Sequence, residues 1–551
     1  MNKFIFFIGF YLTKNKIIKK FILHNKSLFK LNKKHTKKLI LVEFNGWSLQ
    51  HIIISYISNL LALRYSANIH AYPGYVLNKY TLDWKSKIKF CLSNLIPIKQ
   101  FLIFASFGTK RFFYPKINKL ENNLCLIIFK KQIKKLKKLD DICKISIDRV
   151  PIGDLIYDSY LKFYNVPTIN LSDTKFKDFL LESIKSFLFW RQYLKRKSVK
   201  AIIITHTVYL GAMVARIAVY KYSDIKVISG NSNGVFKFNK NYQYPCVNFC
   251  KIKKDFKKLA KFEKIEGIKL AKKRIKQRLS GLDISDLNSA KKSPYNNKLL
   301  KRVIKKNSKI KILIAAHCFL DSPHIFGNFF FPDFLEWLNF LANISKKTDY
   351  DWYIKSHPNF NRITHQILKE FVKKNKNFSL LPLNYSHQQI IREKINYALT
   401  VYGTIGWEYA YKGIPVINAT INHPHRSYSF NINPKSLPEY KNILLNLKKN
   451  KLKINYSEID EYYFTAYIYH VVDWCFQDQV LIKKALTNFK KSFEYNTYNN
   501  WLKFFNKNKH MKILNSINRF IHSNENKILQ EHCGYDLIND IIKKERFTPQ
   551  T

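Results

Sequence analysis

Arginine is scarce in this 551-residue chain, because only 14 of its 96 basic residues are arginine and the rest are lysine. Acidic residues number 37, so the formal net charge is +59. Such a charge favours nucleic acid or an anionic membrane as a partner. Arginine, however, binds phosphate better than lysine does, because its planar guanidinium can donate two hydrogen bonds at once. The lysines also occur together with many residues whose codons are rich in A and T, so the composition of the genome can account for the charge. We interpret the charge first as a solvated lysine-rich surface, then as a weak attraction to an anionic membrane, and not as specific nucleic-acid binding.

Paired cysteines and long apolar runs are absent as well. The eight cysteines are scattered without a CxxC pair, and Cys246 and Cys250 lack the partners of a tetrahedral metal site. They indicate reduced thiols in a cytosolic protein. The apolar run at 4–12 (FIFFIGFYL) is too short to span a bilayer, and no small-residue cleavage site follows it. We expect a helix or strand there that touches the membrane surface, in a cytoplasmic protein that is peripheral at the inner membrane.

Two series of short apolar strands, glycine turns and helices follow one another along the chain. The first series has strands at 38–44, 201–205 and 225–229. The second has strands at 311–316, 351–354, 378–381, 397–401 and 414–418, with helices at 333–344, 363–374 and 404–411. This βαβ rhythm predicts two doubly wound α/β domains with extra helical segments.

The length is too great for one ordinary core, so two or more domains are expected. We place the boundaries at changes of composition along the chain. The predicted parts are a basic segment at 1–36, a first Rossmann-like domain at 37–306 with a lysine-rich helical insert near 251–306, a second Rossmann-like domain at 307–440, and a helical region at 441–551.

Polar clusters follow four strands of the second series, at the edge where parallel strands end and ligands bind. His317 follows one strand and His423 another. In KSHPN, Pro358 forces His357 into an extended conformation beside Lys355, which suits a phosphate or carboxylate. The alternative is that His357 is a capping or core histidine.

The run VYGTIGWEYAYKGIPVI contains a third cluster. Gly403 and Thr404 begin a helix, with Thr404 as the expected N-cap, and would present backbone N–H groups to an anion. Glu408, one turn later, would hold ribose hydroxyls, or else form a surface salt bridge. Arg426, together with His423, is expected to form a lip of the same pocket.

Asp321 lies between His317 and His324, but this spacing matches no standard metal-ligand pattern. We therefore predict no metal ion and no cofactor, and keep Asp321 as a candidate catalytic carboxylate.

The first series offers further candidates. Asp154 and Asp158 are four residues apart, so a helix would place both on one face. One could be the general base for an acceptor hydroxyl, or they could be an N-cap and a surface residue. His206 and Tyr209 follow a strand and are expected to face the cleft between the domains.

The segments ILIAAHCFLDSPH, SHPN, VYGTIGWEYAYKGIPVINA and HPHRSYSF resemble bacterial surface-carbohydrate and capsule polysaccharide biosynthesis glycosyltransferases. IGDLIYDSYL and THTVY are similar to the same group, so the resemblance covers roughly 38–440. It implies the GT-B fold, with two Rossmann-like domains facing across a cleft.

Relatives in that group include transferases that use CMP-activated Kdo or sialic acid, in which an HP motif contacts the nucleotide phosphate. The resemblance implies this role for His357 and Pro358. It implies phosphate-side contacts for Gly403 and Thr404, and a ribose or sugar contact for Glu408. Those relatives often have Ser-Ser or Ser-Thr where this chain has Gly403-Thr404.

The resulting hypothesis is a metal-independent glycosyltransferase that moves a sugar from a nucleotide-activated donor to a growing surface or capsular polysaccharide. Its expected partners are the nucleotide sugar, a glycan or lipid-linked glycan acceptor, and the anionic inner membrane. The alternatives are a CDP-polyol phosphotransferase of the teichoic-acid type, a sugar-nucleotide 2-epimerase, and a non-catalytic basic adaptor that binds nucleic acid or membrane.

Overall fold

A computed structural model describes most of the chain, with several gaps. The described residues are 3–29, 36–74, 100–113, 119–231, 234–241, 243, 249–281, 294–295, 299–327, 329–357, 361–449, 452–472, 474–475 and 496–534. They fall into two compact units. The first comprises Met1–Phe163, Ile169–Cys246 and Val472–Tyr535, and the second comprises Tyr164–Thr168 and Val247–Val471.

The first unit is built on a six-stranded sheet with the order β3-β2-β1-β6-β7-β8. All of these strands run parallel except β8, which is antiparallel to β7. A small hairpin of β4 and β5 lies apart from it. The strands are β1 Lys38–Phe44, β2 Asn68–Pro73, β3 Thr109–Phe112, β4 Ser146–Ile147, β5 Val150–Pro151, β6 Ser198–Ile204, β7 Lys226–Asn231 and β8 Gly234–Phe238.

Helices surround this sheet and bury the apolar faces that its strands present. In β1, every residue after Lys38 is buried, as expected of a strand covered on both faces. The helices of this unit are α1 Lys3–Leu12, α2 Lys16–Leu28, α3 Ser48–Tyr65, α4 Gln100–Ser106, α5 Lys119–Ile133, α6 Asp140–Cys143, α7 Gly153–Tyr164, α8 Thr174–Arg196 and α9 Met213–Lys221, the last preceded by a 3₁₀ turn at Leu210–Ala212.

The second unit contains a five-stranded, fully parallel sheet with the order β11-β10-β9-β12-β13. Its strands are β9 Ile310–Ala315, β10 Tyr350–Lys355, β11 Phe378–Leu380, β12 Tyr397–Thr400 and β13 Val416–Asn418. The chain winds outward from β9 to β11, then returns to the other side of β9 with β12. The topological switch point of this sheet therefore lies between β9 and β12.

The helices of the second unit include both helices of the lysine-rich segment, which the sequence analysis attached to the first domain. They are α10 Phe249–Lys258, α11 Lys261–Ser280, α12 Phe334–Ser345, α13 Arg362–Lys374, α14 His387–Arg392, α15 Ile405–Ala410, α16 Leu437–Leu445 and α17 Tyr456–Tyr463, with a 3₁₀ turn at Leu447–Lys449 and a π-helical turn at Phe464–Tyr469.

Residues near the C-terminus return to the first unit as α18 Asn496–Phe504, α19 Lys507–His522 and α20 Gln530–Cys533. Between α19 and α20 the chain runs along strand β8. Phe236 and Lys527 form a bridge, and the Ile528 amide donates to the Val235 carbonyl at 2.9 Å. This segment covers the outer edge of the first sheet, where β8 would otherwise present unpaired backbone groups.

The predicted fold class of two doubly wound α/β sheets with extra helical segments is confirmed. The strand bounds agree with the sequence prediction to within one to three residues at either end, as for β1, β9 and β10. The cleft between the domains stays a prediction. Within the described part of the chain, no helix combines the length and the apolar character needed to cross a bilayer.

Candidate functional site

The residues that follow β9 and β12 lie side by side at the switch point of the second sheet. His317 comes two residues after β9. Its Nε2 atom lies 3.2 Å from the Thr400 hydroxyl at the end of β12, and accepts the Val401 amide hydrogen at 3.2 Å. The ring also stacks on Phe334, with centroids 4.9 Å apart. His317 therefore joins the two strand ends directly.

Burial and the nearby His357 lower the pKa of His317 from 6.5 to about 3. The ring is neutral near pH 7. Because Nε2 accepts the Val401 amide hydrogen, the single ring proton belongs on Nδ1. The switch point therefore carries a neutral imidazole whose tautomer is set by the backbone of the neighbouring strand.

Gly403 allows the turn after β12 to close against this histidine. Its amide donates to the Thr400 hydroxyl at 3.1 Å. A Cβ atom at this position would lie 2.8 Å from that hydroxyl oxygen, closer than real contacts allow. Thr404 occupies the N-cap position of α15, but its side chain makes no capping hydrogen bond. Because α15 has only six residues, few aligned peptides contribute to a dipole there.

His357 follows β10 and is exposed. Its charge lowers the pKa of both His317 and His387, so these three imidazoles are electrostatic neighbours. Pro358, the other half of the predicted motif, lies outside the described residues.

Lys355, the last residue of β10, is buried and directed toward the loop that follows β11. Its ammonium donates to the carbonyl oxygens of Pro382 at 3.1 Å and Leu383 at 2.7 Å. Desolvation lowers the pKa of Lys355 to about 8. At neutral pH the group is still largely protonated, so it places a fixed positive charge beneath the strand ends.

The loop after β13 brings His423 and Arg426 close to one another. His423 is buried, and burial together with Arg426 lowers its pKa to about 3. Its Nδ1 atom has no hydrogen-bond partner within the part of the chain that the structure describes. Arg426 is exposed and donates to the Asn422 side chain at 3.1 Å.

His425 was not singled out from the sequence, yet it lies deepest in this loop. It is fully buried, and neither of its ring nitrogens has a partner among the described residues. The side-chain oxygen and nitrogen of buried Asn431 are likewise unpaired there. A Cβ atom on Gly406 would lie 2.3 Å from the His425 ring, so the glycine lets α15 approach it. Unpaired buried polar groups are rare, which makes this pair notable.

Glu408 of α15 is almost fully buried and engaged by two protein partners. One carboxylate oxygen accepts from Nε and Nη2 of Arg278, at 3.3 and 3.1 Å. The other accepts from the Tyr295 hydroxyl at 3.1 Å. Arg278 and Tyr295 both come from the lysine-rich part of the chain. The carboxylate therefore belongs to a buried ion pair that fixes α15 against α11.

Asp321 and His324 lie in the loop between β9 and α12. Asp321 is exposed, and its carboxylate accepts the Ser322 amide hydrogen at 3.0 Å. His324 is half-buried in the same loop. In the described residues, no group of three or more His, Cys, Asp and Glu side chains is arranged to hold a metal ion.

The switch point of the first sheet lies between β1 and β6, and it contains a residue that the sequence analysis missed. Glu43, in β1, is buried, and its carboxylate accepts from the Thr205 amide at 2.5 Å and the Thr205 hydroxyl at 2.9 Å. Thr205 also contacts Nδ1 of His206 at 3.0 Å. The His206 ring packs edge-on against Trp47, with centroids 4.9 Å apart. A lone acid inside the apolar run KLILVEF was the signal available in the sequence.

Tyr209, a few residues after His206, is buried and has a φ angle of 67°. That left-handed conformation is costly for a side chain other than glycine, and such strain often occurs near functional sites. The next amide, of Leu210, donates to the Ser159 hydroxyl of α7 at 2.8 Å. The loop after β6 is therefore tied to the helix that carries Asp154 and Asp158.

Asp154 forms a two-pronged ion pair with buried Arg216 of α9, with distances of 3.1 and 2.9 Å. Asp158 is almost fully buried on the same helix. The structure thus brings His206, Tyr209 and α7 together in the first unit, and His317, His357, Gly403 and the loop after β13 to the carboxyl edge of the sheet in the second.

A cavity of about 620 Å³ in the first unit lies at the opposite edge of its sheet. The last turns of α3, α9 and α19 border it, as do the start of β7 and the end of β8. Arg64, Lys226, Lys237 and Lys240 line it. Helix carboxyl ends carry partial negative charge, and basic side chains commonly compensate it. Lys237 makes such a contact, because its ammonium donates to the Ser523 carbonyl oxygen at the end of α19.

No family model and no curated protein matches this chain. Among solved structures, it is similar to a UDP-GlcNAc 2-epimerase from Neisseria meningitidis bound to UDP-GlcNAc, with 11% identity, 77% of this chain and 97% of that one covered, and a TM-score of 0.21. It is also similar to the Thermobaculum terrenum O-GlcNAc transferase, with 9% identity, 90% and 77% coverage, and a TM-score of 0.24. A Rickettsia africae glycosyltransferase has 10% identity, 88% and 100% coverage, and a TM-score of 0.21. Scores at this level leave the activity to be argued from the chain's own residues.

Proposed function

We propose that this chain is a glycosyltransferase of the GT-B type that transfers a sugar from a nucleotide-activated donor, without a metal ion, to a growing surface or capsular polysaccharide. The donor is of the CMP-Kdo or CMP-sialic-acid class, or a nucleoside diphosphate sugar. The observation that carries the proposal is the carboxyl edge of the second sheet. There His317 joins the ends of β9 and β12 beside Gly403, with His357 exposed at the end of the next strand.

In this proposal the nucleotide phosphate binds at that edge. His357, the first residue of the HP motif, donates a hydrogen bond to it. The neutral Nδ1–H of His317 and the charge of Lys355 stabilise the negative charge that develops as the nucleotide leaves. Lys355 acts through the field, because its ammonium is already bound by two carbonyl oxygens. Gly403 and Thr404 supply the close backbone approach, and His423 and Arg426 form the lip of the site.

The acceptor hydroxyl oxygen attacks the anomeric carbon, and the bond from that carbon to the phosphate oxygen breaks. A carboxylate of the first unit takes the hydroxyl proton. We propose Asp154 or Asp158 of α7 for this role, and if Asp154 is the base its ion pair with Arg216 has to rearrange when it takes the proton. Asp321 remains a third candidate for the base. His206 and Tyr209 are proposed to line the acceptor side.

In the predicted ribose contact, a ribose hydroxyl would donate to the Glu408 carboxylate. That carboxylate already accepts hydrogen bonds from Arg278 and Tyr295. We propose instead that Glu408 positions α15, and that the ribose meets another group of the same edge. We propose that the reaction takes place at the cytoplasmic face of the inner membrane, where a lipid-linked glycan acceptor would be found.

The test is a thermal-shift panel on the full chain with CMP-, CDP-, UDP- and GDP-linked sugars and polyols. We expect one sugar-nucleotide class to raise the Tm, and His357→Ala to weaken its binding about tenfold or more, through loss of a hydrogen bond to a charged group. His522→Ala, an exposed histidine of the first unit, is the matched control and should leave binding unchanged.

With the stabilising donor in hand, one of the two variants Asp154→Asn and Asp158→Asn should abolish transfer to the acceptor while leaving the thermal shift intact. Stabilisation by a CDP-polyol alone would favour the polyol phosphotransferase instead. If no compound shifts the Tm, or if His357→Ala binds the donor as the parent does, the proposed donor site is wrong.

A further inference from the structure

The first two helices present large apolar side chains to solvent. On α1, Phe7 is 55% exposed, Tyr11 is 72% exposed and Leu12 is 59% exposed, and Ile8 is also exposed. On α2, Leu23 is 56% exposed. Single exposed apolar residues are common on proteins, but four within six consecutive positions form a patch. We call these five side chains the N-terminal apolar face.

The helices that carry this face are fixed to the body of the first unit. Phe21 and Ile22 of α2 belong to the buried core, and Phe21 stacks on Tyr498 with centroids 4.3 Å apart. Asn25 donates to the Ser106 hydroxyl of α4 at 2.9 Å. The apolar face therefore lies on helices that are already ordered in the folded protein. Binding does not have to order a loose segment, so that entropy cost is avoided.

Positive charge surrounds the face, and negative charge is absent from the sequence around it. Residues 1–42 contain eleven lysines and no aspartate or glutamate. Lys14, Lys16, Lys20 and Lys26 are exposed on or beside α1 and α2.

The lysine heads lie next to the apolar side chains. The ammonium of Lys26 is 3.6 Å from the centre of the Phe6 ring and 5.9 Å from that of Phe7, while Lys19 lies 5.4 Å from the Phe10 ring. Leu23 is one helical turn from Lys26, so it flanks the same contact. Apolar rings and cationic heads thus occupy one surface.

This combination fits the boundary of an anionic bilayer. Aromatic and aliphatic side chains enter the acyl boundary, and lysines meet the phosphate groups of acidic lipids. At ten residues, α1 is about 15 Å long, which is too short to cross the hydrocarbon core. A second copy of the chain fits less well, because two faces with the same lysines would repel each other.

We infer that the N-terminal apolar face and its lysines form a contact surface for a bilayer that contains anionic phospholipid. The helices lie in the plane of the membrane surface, with the lysine stems reaching up to the headgroups. This inference uses no residue of the candidate site, and it can hold or fail independently of the proposed reaction.

The test is flotation of the full chain with vesicles of phosphatidylcholine and phosphatidylglycerol, compared with phosphatidylcholine alone. We expect binding to the mixed vesicles only, weakened by added salt. The variant Lys14→Gln, Lys16→Gln, Lys20→Gln should bind on the order of 100-fold less tightly, at about fivefold per lysine. The variant Phe7→Ser, Tyr11→Ser, Leu12→Ser should lose binding by a similar order.

Matched controls come from α10 and α11, which also combine exposed apolar side chains with many lysines. Phe262→Ser with Ile265→Ser removes two exposed apolar side chains, and Lys254→Gln with Lys257→Gln and Lys258→Gln removes three lysines. Both controls should bind vesicles as the parent does. An unchanged Tm for every variant shows that folding is intact, since the substituted side chains are on the surface.

Three results would overturn the inference. The first is equal binding by the apolar variant and the parent. The second is loss of vesicle binding only in the α10 variant. That result would show that lysines away from the N-terminal apolar face attract the chain to the membrane. The third is a self-association in solution that the apolar variant removes, without any vesicle binding, which would assign the face to a second copy of the chain.

Discussion

Each unit of the molecule buries a glutamate near its switch point, and the two glutamates are held by different kinds of partner. Glu408 in the second unit is paired with the guanidinium of Arg278 and hydrogen-bonded to Tyr295. Glu43 in the first unit accepts only from the amide and hydroxyl of Thr205, and no cation pairs with it among the described residues. A buried carboxylate with a full counter-charge stabilises packing between two elements, whereas Glu43 is held by neutral donors.

The two edges therefore differ in the charge they carry. The first edge places the carboxylate of Glu43 against Thr205, which in turn contacts His206. The second edge carries the ammonium of Lys355 near the imidazoles of His317 and His357. Under the proposed function, this positive charge would stabilise a leaving phosphate.

The largest effect is expected when the ion pair of the second unit is broken. Arg278→Leu leaves Glu408 buried and without its counter-charge, which should cost about 3–5 kcal/mol of unfolding free energy. Replacing both residues with leucine should recover most of that loss. Urea denaturation measures the free energy, and Lys276→Leu, an exposed neighbour on α11, is the control. If Lys276→Leu costs as much, Glu408 is not held as we describe.

A smaller effect is expected in the first unit. Glu43→Leu leaves the Thr205 amide and hydroxyl without an acceptor, at a cost of about 1–3 kcal/mol. Glu43→Gln keeps an acceptor in place and should lose less. The same denaturation experiment orders the variants. A larger loss for Glu43→Leu than for Arg278→Leu would reverse the comparison between the two carboxylates.

Near neutral pH the smallest effect is a change in the pH dependence of stability, and this effect grows as the pH falls. Burial holds the pKa of His317, His387 and His423 at about 3 in the folded protein, below the ordinary value of 6.5. Between those values the unfolded chain binds more protons, so stability falls as the pH drops from 6.5 toward 3. His317→Gln should remove about 1.4 kcal/mol per pH unit from that slope. Denaturation at a series of pH values would show an unchanged slope if the ring were protonated in the fold.

Much of the fold follows from short-range pattern. Continuous apolar runs such as KLILVEF and KILIAA gave strand positions nearly to the residue, because a strand buried on both faces must be apolar throughout. The clustering of His317 and Gly403 followed from the rule that parallel strands end at one edge.

The pairings of individual side chains did not follow from the sequence. The sequence predicted a ribose contact for Glu408, and no local pattern pointed to its partner Arg278, 130 positions earlier in the chain. It predicted a phosphate contact for Lys355, and no local pattern pointed to the carbonyl oxygens after β11 that its ammonium contacts. Both ligand contacts stay predictions. Contacts within the protein depend on tertiary packing, which a local sequence pattern does not predict. Glu43 was not identified from the sequence, because the strand that contains it was interpreted only as part of the hydrophobic core.

The chain segment that runs along β8 has a consequence for synthesis on the ribosome. The strands of the first sheet have all been made by Phe238, yet the outer edge of that sheet is covered only when residues 526–528 have been made. All strands of the second sheet, which end at Asn418, are made in between. Domains generally fold as the chain emerges, so the sheet that is made first would be covered last. Until then, strand β8 is an uncovered edge, and a nascent chain arrested before α19 would be prone to pairing with other strands.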